Sequence, residues 1–333
     1  MLQNIPLSAL DLAVVKQGAD ACDSIADSVT VAQTVEQLGY RSIWFAEHHN
    51  MPHVASSATS ILIGHIAGKT QSIKVGSGGI MLPNHSPLVI AEQFGTLETI
   101  YPGRIELGLG RAPGTDQTTA MALRRTNMNT AFSFPRDVEE LWNYFRNDDP
   151  DVKVRAFPGE GLTIPLYILG SSTDSAHLAA SLGLPYAFAA HFAPAQLKAA
   201  LKIYRNEFRP SQQLKKPHVM VCVNAFGADT DQEAFRLSTS MFRMFIGMVT
   251  NRRAPLSPPV DSLDPYWTPD IQHAVAQMTA CTFIGSKESL RQQFVDFFKE
   301  VAFDELIISS YIYDMDAKLY SYQIVRDAFH SMS

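Results

Sequence analysis

Four side chains carry the most chemical information in this chain of 333 residues: Arg111 and the hydroxyl groups of Ser171, Ser172 and Ser175. The apolar run Leu166-Tyr167-Ile168-Leu169 reads as a strand that breaks at Gly170 and leads through the serines into a helix. Gly170 allows a tight turn, and a helix begins with amide hydrogens that have no partner within it. Free amides, hydroxyls and the positive end of the helix dipole make an anion site, usually for phosphate. Plain helix capping is the alternative for the serines. Arg111 favours the anion. It ends the preceding strand, where parallel pairing would set its guanidinium beside the helix start, and its paired donors match phosphate geometry.

A second stretch, from Val75 to Gly114, suggests which phosphate. Gly76-Ser77-Gly78-Gly79 weakens a strand at its C-terminal half, which marks close packing or close approach of backbone to a ligand. Beyond it lie the LPNHSP turn, a second glycine-rich strand and Arg111 with the turn Ala112-Pro113-Gly114. A phosphate at one mouth with a tight glycine backbone beside it points to a cofactor such as flavin mononucleotide (FMN). Gly108 to Gly114 fails as a dinucleotide fingerprint, because its spacing is wrong and it leads into a loop. Glu47-His48-His49-Asn50 ends another strand. Adjacent histidines on a strand face opposite ways and do not easily share a metal. No metal site is therefore expected. One of the two, if not purely structural, suits acid/base or hydrogen-bonding work near neutral pH. His85, His191 and Asp116 are further candidates for the same mouth, and no Gly-x-Ser-x-Gly nucleophile elbow occurs.

The elements that must position these groups alternate along the whole chain. Strands are expected at Leu7–Val15, Ser42–Ala46, Ile73–Leu82, Arg104–Gly110, up to Gly170, Tyr186–Ala190, His218–Phe226 and Glu305–Ser310, with helices between them. Eight strand–helix units predict an α/β fold, a closed (β/α)8 TIM barrel forming one domain over residues 1–333. All the polar, glycine-rich features fall at the C-terminal ends of strands two to five, the face on which barrels place their sites. An insertion of roughly residues 227–285 separates the last two strands and reads as a lid or assembly surface. LGYRSIWFAEHH and LGLPYAFAAHF form a faint internal echo of glycine, strand and histidine.

Composition narrows the partners. With 27 basic and 33 acidic side chains the formal charge is -6, which argues against nucleic acid or an anionic membrane surface. Cys22, Cys222 and Cys281 are odd in number and far apart, as expected of thiols in a reducing cytoplasm. No signal core and no apolar run of about 18 residues is present, so a soluble cytoplasmic protein is expected.

Together EHHN, GSGGIMLPNHSPLVIAEQFGTL, PGRIELGLGRAPG and LGSS resemble the bacterial luciferase-like flavin monooxygenase family, over nearly the whole chain. The resemblance implies a barrel, usually dimeric, that takes reduced FMN from a separate reductase. The family uses dioxygen to oxygenate an aldehyde or other small organic substrate. It maps the catalytic histidine onto His48 and a non-proline cis peptide under the flavin ring onto Gly78-Gly79. Phosphate contacts fall on Arg111, Ser171, Ser172 and Ser175. Two departures stand out: Gly110 occupies the place of luciferase's reactive cysteine, and Ser86 that of a histidine, with His85 one place earlier. A deazaflavin-dependent oxidoreductase and a catalytically silent flavin-binding protein are the alternatives.

Overall fold

In the computed structural model, which describes residues 4–112, 115–123, 130–146 and 151–330, nine parallel strands form one sheet. They are β1 (Leu7–Asp11), β2 (Ser42–Phe45), β3 (Lys74–Met81), β4 (Ile105–Gly110), β5 (Leu166–Gly170), β6 (Tyr186–Ala189), β7 (Val219–Gly227), β8 (Thr282–Gly285) and β9 (Glu305–Ser309). The order β6-β5-β4-β3-β2-β1-β9-β7, closed by the β6–β7 pairing, makes a barrel of eight strands, as expected. Its α-helices in chain order are α1 (Ala21–Gln37), α2 (Thr59–Ala67), α3 (Pro87–Ile100), α4 (Gln117–Leu123), α5 (Thr130–Phe145) and α6 (Thr173–Leu182). They continue as α7 (Leu197–Glu207), α8 (Asp231–Val249), α9 (Pro269–Met278), α10 (Lys287–Glu300) and α11 (Met315–His330).

β8 is the departure from the sequence expectation. The long strand β7 pairs β9 through Met220–Asn224 and pairs β8 through Asn224–Gly227, so β8 is an extra strand above the barrel wall. The expected insertion therefore contains α8, α9 and a strand. The loop after β4 also holds a helix, α4, and α5 begins before Pro135, which stands inside it. The Pro113-Gly114 part of the expected turn lies outside the described residues.

Alternation along each strand sorts the core. Ile43 and Phe45 face outward into the helix layer, while Trp44 and Ala46 face inward. Leu166 and Ile168 pack outward, and Tyr167 and Leu169 inward. The floor of the barrel is polar. Arg41 bonds Glu106 at 2.5 Å and Glu305 at 3.2 Å, while Trp44 Nε1 and Tyr167 Oη donate to Glu106 at 2.8 and 3.0 Å. Ser8 Oγ donates to Glu305 at 2.5 Å. Two buried carboxylates are thus matched by a guanidinium and neutral donors.

Above this floor, the inward positions of β3 and β4 are nearly stripped of side chains. A Cβ on Gly76 would stand 2.8 Å from Trp44 Nε1, and one on Gly108 would stand 2.2 Å from Ser77 O. Glycine is required there because neighbouring backbone and side chains already occupy the place of a Cβ.

Candidate active site

The inward parity of β2 continues past its end. Trp44 and Ala46 point into the barrel, and His48 lines the cavity above them. Glu47 and His49 turn the other way. The buried Glu47 carboxylate accepts from His49 Nε2 at 2.7 Å, His85 Nε2 at 2.9 Å, Asn84 Nδ2 at 3.3 Å and the Met81 amide at 3.0 Å. Burial pushes this carboxyl up, but the bonds from His85, His49 and Met81 outweigh it and hold the group below its ordinary range.

Glu47, His49 and His85 are the metal-spaced trio among the described residues. One Glu47 oxygen already receives three donors, and the nitrogen–oxygen distances are those of hydrogen bonds. The trio ties the end of β2 to the end of β3. His85 therefore serves this hub and does not line the cavity. Asp116 accepts from Thr119 at the start of α4 and from Asn50 Nδ2, and it too stands outside the lining.

The cavity, about 340 Å³, opens at the C-terminal ends of the strands. It gathers His48, Gly78, Arg111, Gly170, Ser171, Ser172 and Ser175 onto one wall system, with His191 among them. Gly79 is not part of the lining, since a Cβ there would meet Gly108 O at 2.7 Å. The Gly78-Gly79 peptide is cis. Most remaining lining groups are apolar: Leu10, Leu12, Leu169, Cys222, Phe245 and Ile307 among them. Burial raises the Cys222 thiol well above its ordinary value, so it stays protonated.

At the β5–α6 joint the three serines differ. Ser172 is the N-cap residue, yet its side chain makes no capping bond. Ser175 Oγ donates to Ser172 O at 2.8 Å and lies 2.9 Å from Tyr186 Oη, so this hydroxyl braces the turn. A Cβ on Gly170 would fall 1.9 Å from that Oγ, which makes glycine necessary for the close joint. The Thr173 amide is met by Gln196 Oε1 at 3.0 Å. Arg111 does reach across from β4 to the helix start, where its Nη1 donates to Asp174 at 3.1 Å. Both partners are well exposed, at 44% and 66%, so the pair is worth under about 1 kcal/mol and does not lock the guanidinium.

His191 is the residue the sequence placed least firmly and the structure places most tellingly. It is buried, lines the cavity, and its Nδ1 has no hydrogen-bond partner among the described residues. Burial, and then the neighbouring His48, depress its pKa to about 3, so the imidazole is neutral.

A closed parallel barrel whose cavity, at the C-terminal ends of its strands, gathers an arginine, a strand–helix joint and two histidines has the architecture of an α/β-barrel enzyme. The profile of luciferase-like monooxygenases matches residues 7–305, and the chain belongs to that family. A luciferase-like monooxygenase of Escherichia coli K12 is 47% identical over 325 residues, 98% of this chain and 97% of that protein. The crystal structure of apo-MsnO8 superposes with a TM-score of 0.88 at 31% identity, covering 98% and 99% of the two chains. The oxygenating constituent of 3,6-diketocamphane monooxygenase from Pseudomonas putida, solved with FMN, shares the fold at 17% identity. Its TM-score is 0.71 and the coverage 97% and 96%.

Proposed function

We propose that this monooxygenase-family barrel is the oxygenase component of a two-component system. It takes reduced FMN from a separate flavin reductase and uses dioxygen to oxygenate a small organic substrate, an aldehyde or other carbonyl compound. The observation that carries this reading is the convergence of Arg111, the α6 N-terminus, Gly78 and two histidines on one apolar cavity. The residues present fit the cofactor. The cavity is lined mainly by apolar groups with Gly78 in its wall, and among the described residues His191 Nδ1 has no hydrogen-bond partner, so it can meet a polar atom of the ring.

Arg111, Ser171, Ser172 and the open amides of α6 would hold the phosphate, with Ser175 and Gly170 shaping the joint. The Gly78-Gly79 backbone would support the ring. Bound there, reduced FMN supplies the electron pair with which dioxygen is divided between product and water. His48, in the lining, would donate a hydrogen bond or carry a proton at the reacting edge, and neutral His191 would complement it without adding a charge. The apolar lining keeps bulk water away from the reacting atoms. No nicotinamide fingerprint occurs in the chain, which motivates the reductase. Ile61 of α2 and Ile100 of α3 are large apolar side chains left exposed, surface that a homodimer would bury. A cytoplasmic setting suits the free thiols. No helix among the described residues is long and apolar enough to cross a membrane.

Anaerobic titration followed by oxygen tests the reading. Reduced FMN should bind far better than reduced deazaflavin, and candidate carbonyl compounds should be oxygenated once per pre-reduced FMN on adding oxygen, with further turnovers only when a reductase is present. Preference for deazaflavin would mean hydride transfer without oxygen. Return of all dioxygen as hydrogen peroxide, whatever the compound, would favour a silent flavin binder. NADPH oxidation by the purified protein alone would remove the reductase from the account.

A further inference from the structure

The cavity has a second cation that the flavin site does not use. Arg253, in the loop after α8, lines it together with Met51, His53, Val54, Met244 and Met248. The strand order puts this end opposite the phosphate end. Arg253 is an exposed residue three positions before Leu256, whose amide donates to Val15 O at 2.9 Å and holds this loop beside the continuation of β1. Arg111 and α6 follow β4 and β5, and β5 is four strands from β1 in either direction around the barrel.

The side-chain contact recorded for Arg253 is Nη1 at 3.8 Å from Met51 Sδ, and no carboxylate pairs with it among the described residues. Its neighbour His53 is held below the ordinary imidazole range by burial and then by Arg253 itself. The charge at this end is therefore one guanidinium on a thioether-rich, apolar surround. A forked donor beside apolar walls is the arrangement that selects a planar monoanion on a hydrophobic body. One cation without a helix N-terminus is a poor match for a phosphate dianion.

We propose that Arg253 is a specificity-determining residue that receives the carboxylate of an apolar organic acid, fixing which end of the substrate lies toward His48. The inference rests on the flavin reading for what occupies the space between the two arginines. It narrows the substrate from small organic compounds in general to ones bearing an acid group.

The test is calorimetric titration of the FMN-loaded protein with 6-phenylhexanoate and with its methyl ester. The acid should bind about tenfold or more tightly than the ester, and rising salt should weaken the acid alone. Arg253→Gln should erase the preference while leaving ester binding and FMN affinity unchanged; Arg253→Lys should keep most of it. Arg252→Gln, a neighbouring exposed cation outside the lining, should change neither. Equal or tighter binding of the ester, an unaffected preference in Arg253→Gln, or an equal loss in Arg252→Gln overturns the proposal. Loss of FMN binding in Arg253→Gln overturns it as well, because the residue would then serve the phosphate. If the wild-type protein fails to bind FMN, the flavin reading fails. The same titrations on the flavin-free protein then still decide whether Arg253 recognises the acid.

Discussion

At the scale of single residues, the cavity carries an arginine on each of two sides and the neutral imidazole of His191 in its lining. His191 is the sharpest case. Its folded pKa of about 3 lies below the ordinary 6.5, so the unfolded chain binds the extra proton. Its contribution is complete above pH 6.5 and is lost as the pH falls toward 3. His191→Phe should flatten this part of the acid limb by about 3 kcal/mol at pH 4, measured by urea unfolding across pH. Glu47 has the same sign over a lower window, below its ordinary 4.5, and its share of acid loss should persist in that variant. An unchanged acid limb would mean that His191 is not desolvated. Asp174 gives a second residue-scale test. Asp174→Asn removes the carboxylate now paired with Arg111 and should tighten FMN binding by about twofold to fivefold at low salt, with no change at high salt. Weaker binding would show that Asp174 orients the guanidinium.

Among the elements, the barrel floor is where one substitution should cost most stability. Arg41→Met leaves Glu106 and Glu305 buried without their shared guanidinium and should lower unfolding stability by about 3 kcal/mol. Adding Glu106→Gln should recover part of it; no recovery would place the loss in packing rather than charge. The legibility of elements in the sequence followed their patterning. Strands with clean alternation and glycine or proline stops emerged within a few residues of their true ends. β8 did not, because four residues, Thr-Phe-Ile-Gly, carry too little pattern and are held by pairing with the overlong β7. α4 lay hidden in a loop with no apolar stripe, and none of its residues is buried. Pro135, a residue that favours the first turn of a helix, stands inside α5, so its position gives no helix start. At the site, Arg111 beside α6 followed from strand adjacency. The partners of Glu47 did not, since His85 and Asn84 lie nearly forty residues away and local spacing says nothing of them. The echo of FAEHH and FAAHF did carry a signal that could have promoted His191, because it gives His191 the place of His48 on the opposite strand. Arg253 sits in a proline-rich loop with no motif, and only the closed fold brings it to the cavity.

Across the whole molecule, barrel closure turns scattered motifs into one enclosure. β4 and β5 bring Arg111 and the serines of the α6 start, β2 and β6 bring histidines from opposite walls, and α8 adds Met244, Phe245 and Met248 to the lining. The chain is net acidic, yet two arginines stand at this cavity, so anionic ligands are drawn to the mouth rather than to the surface at large. The central claim is that Arg111 and the α6 start grip a phosphate. Fluorescence titration of FMN against riboflavin, in the wild-type protein and in Arg111→Ala, tests it most directly. Wild type should prefer FMN by about 100-fold. Arg111→Ala should lose at least about tenfold of FMN affinity with riboflavin binding and thermal midpoint unchanged. Equal affinity of the wild-type protein for FMN and riboflavin would contradict it.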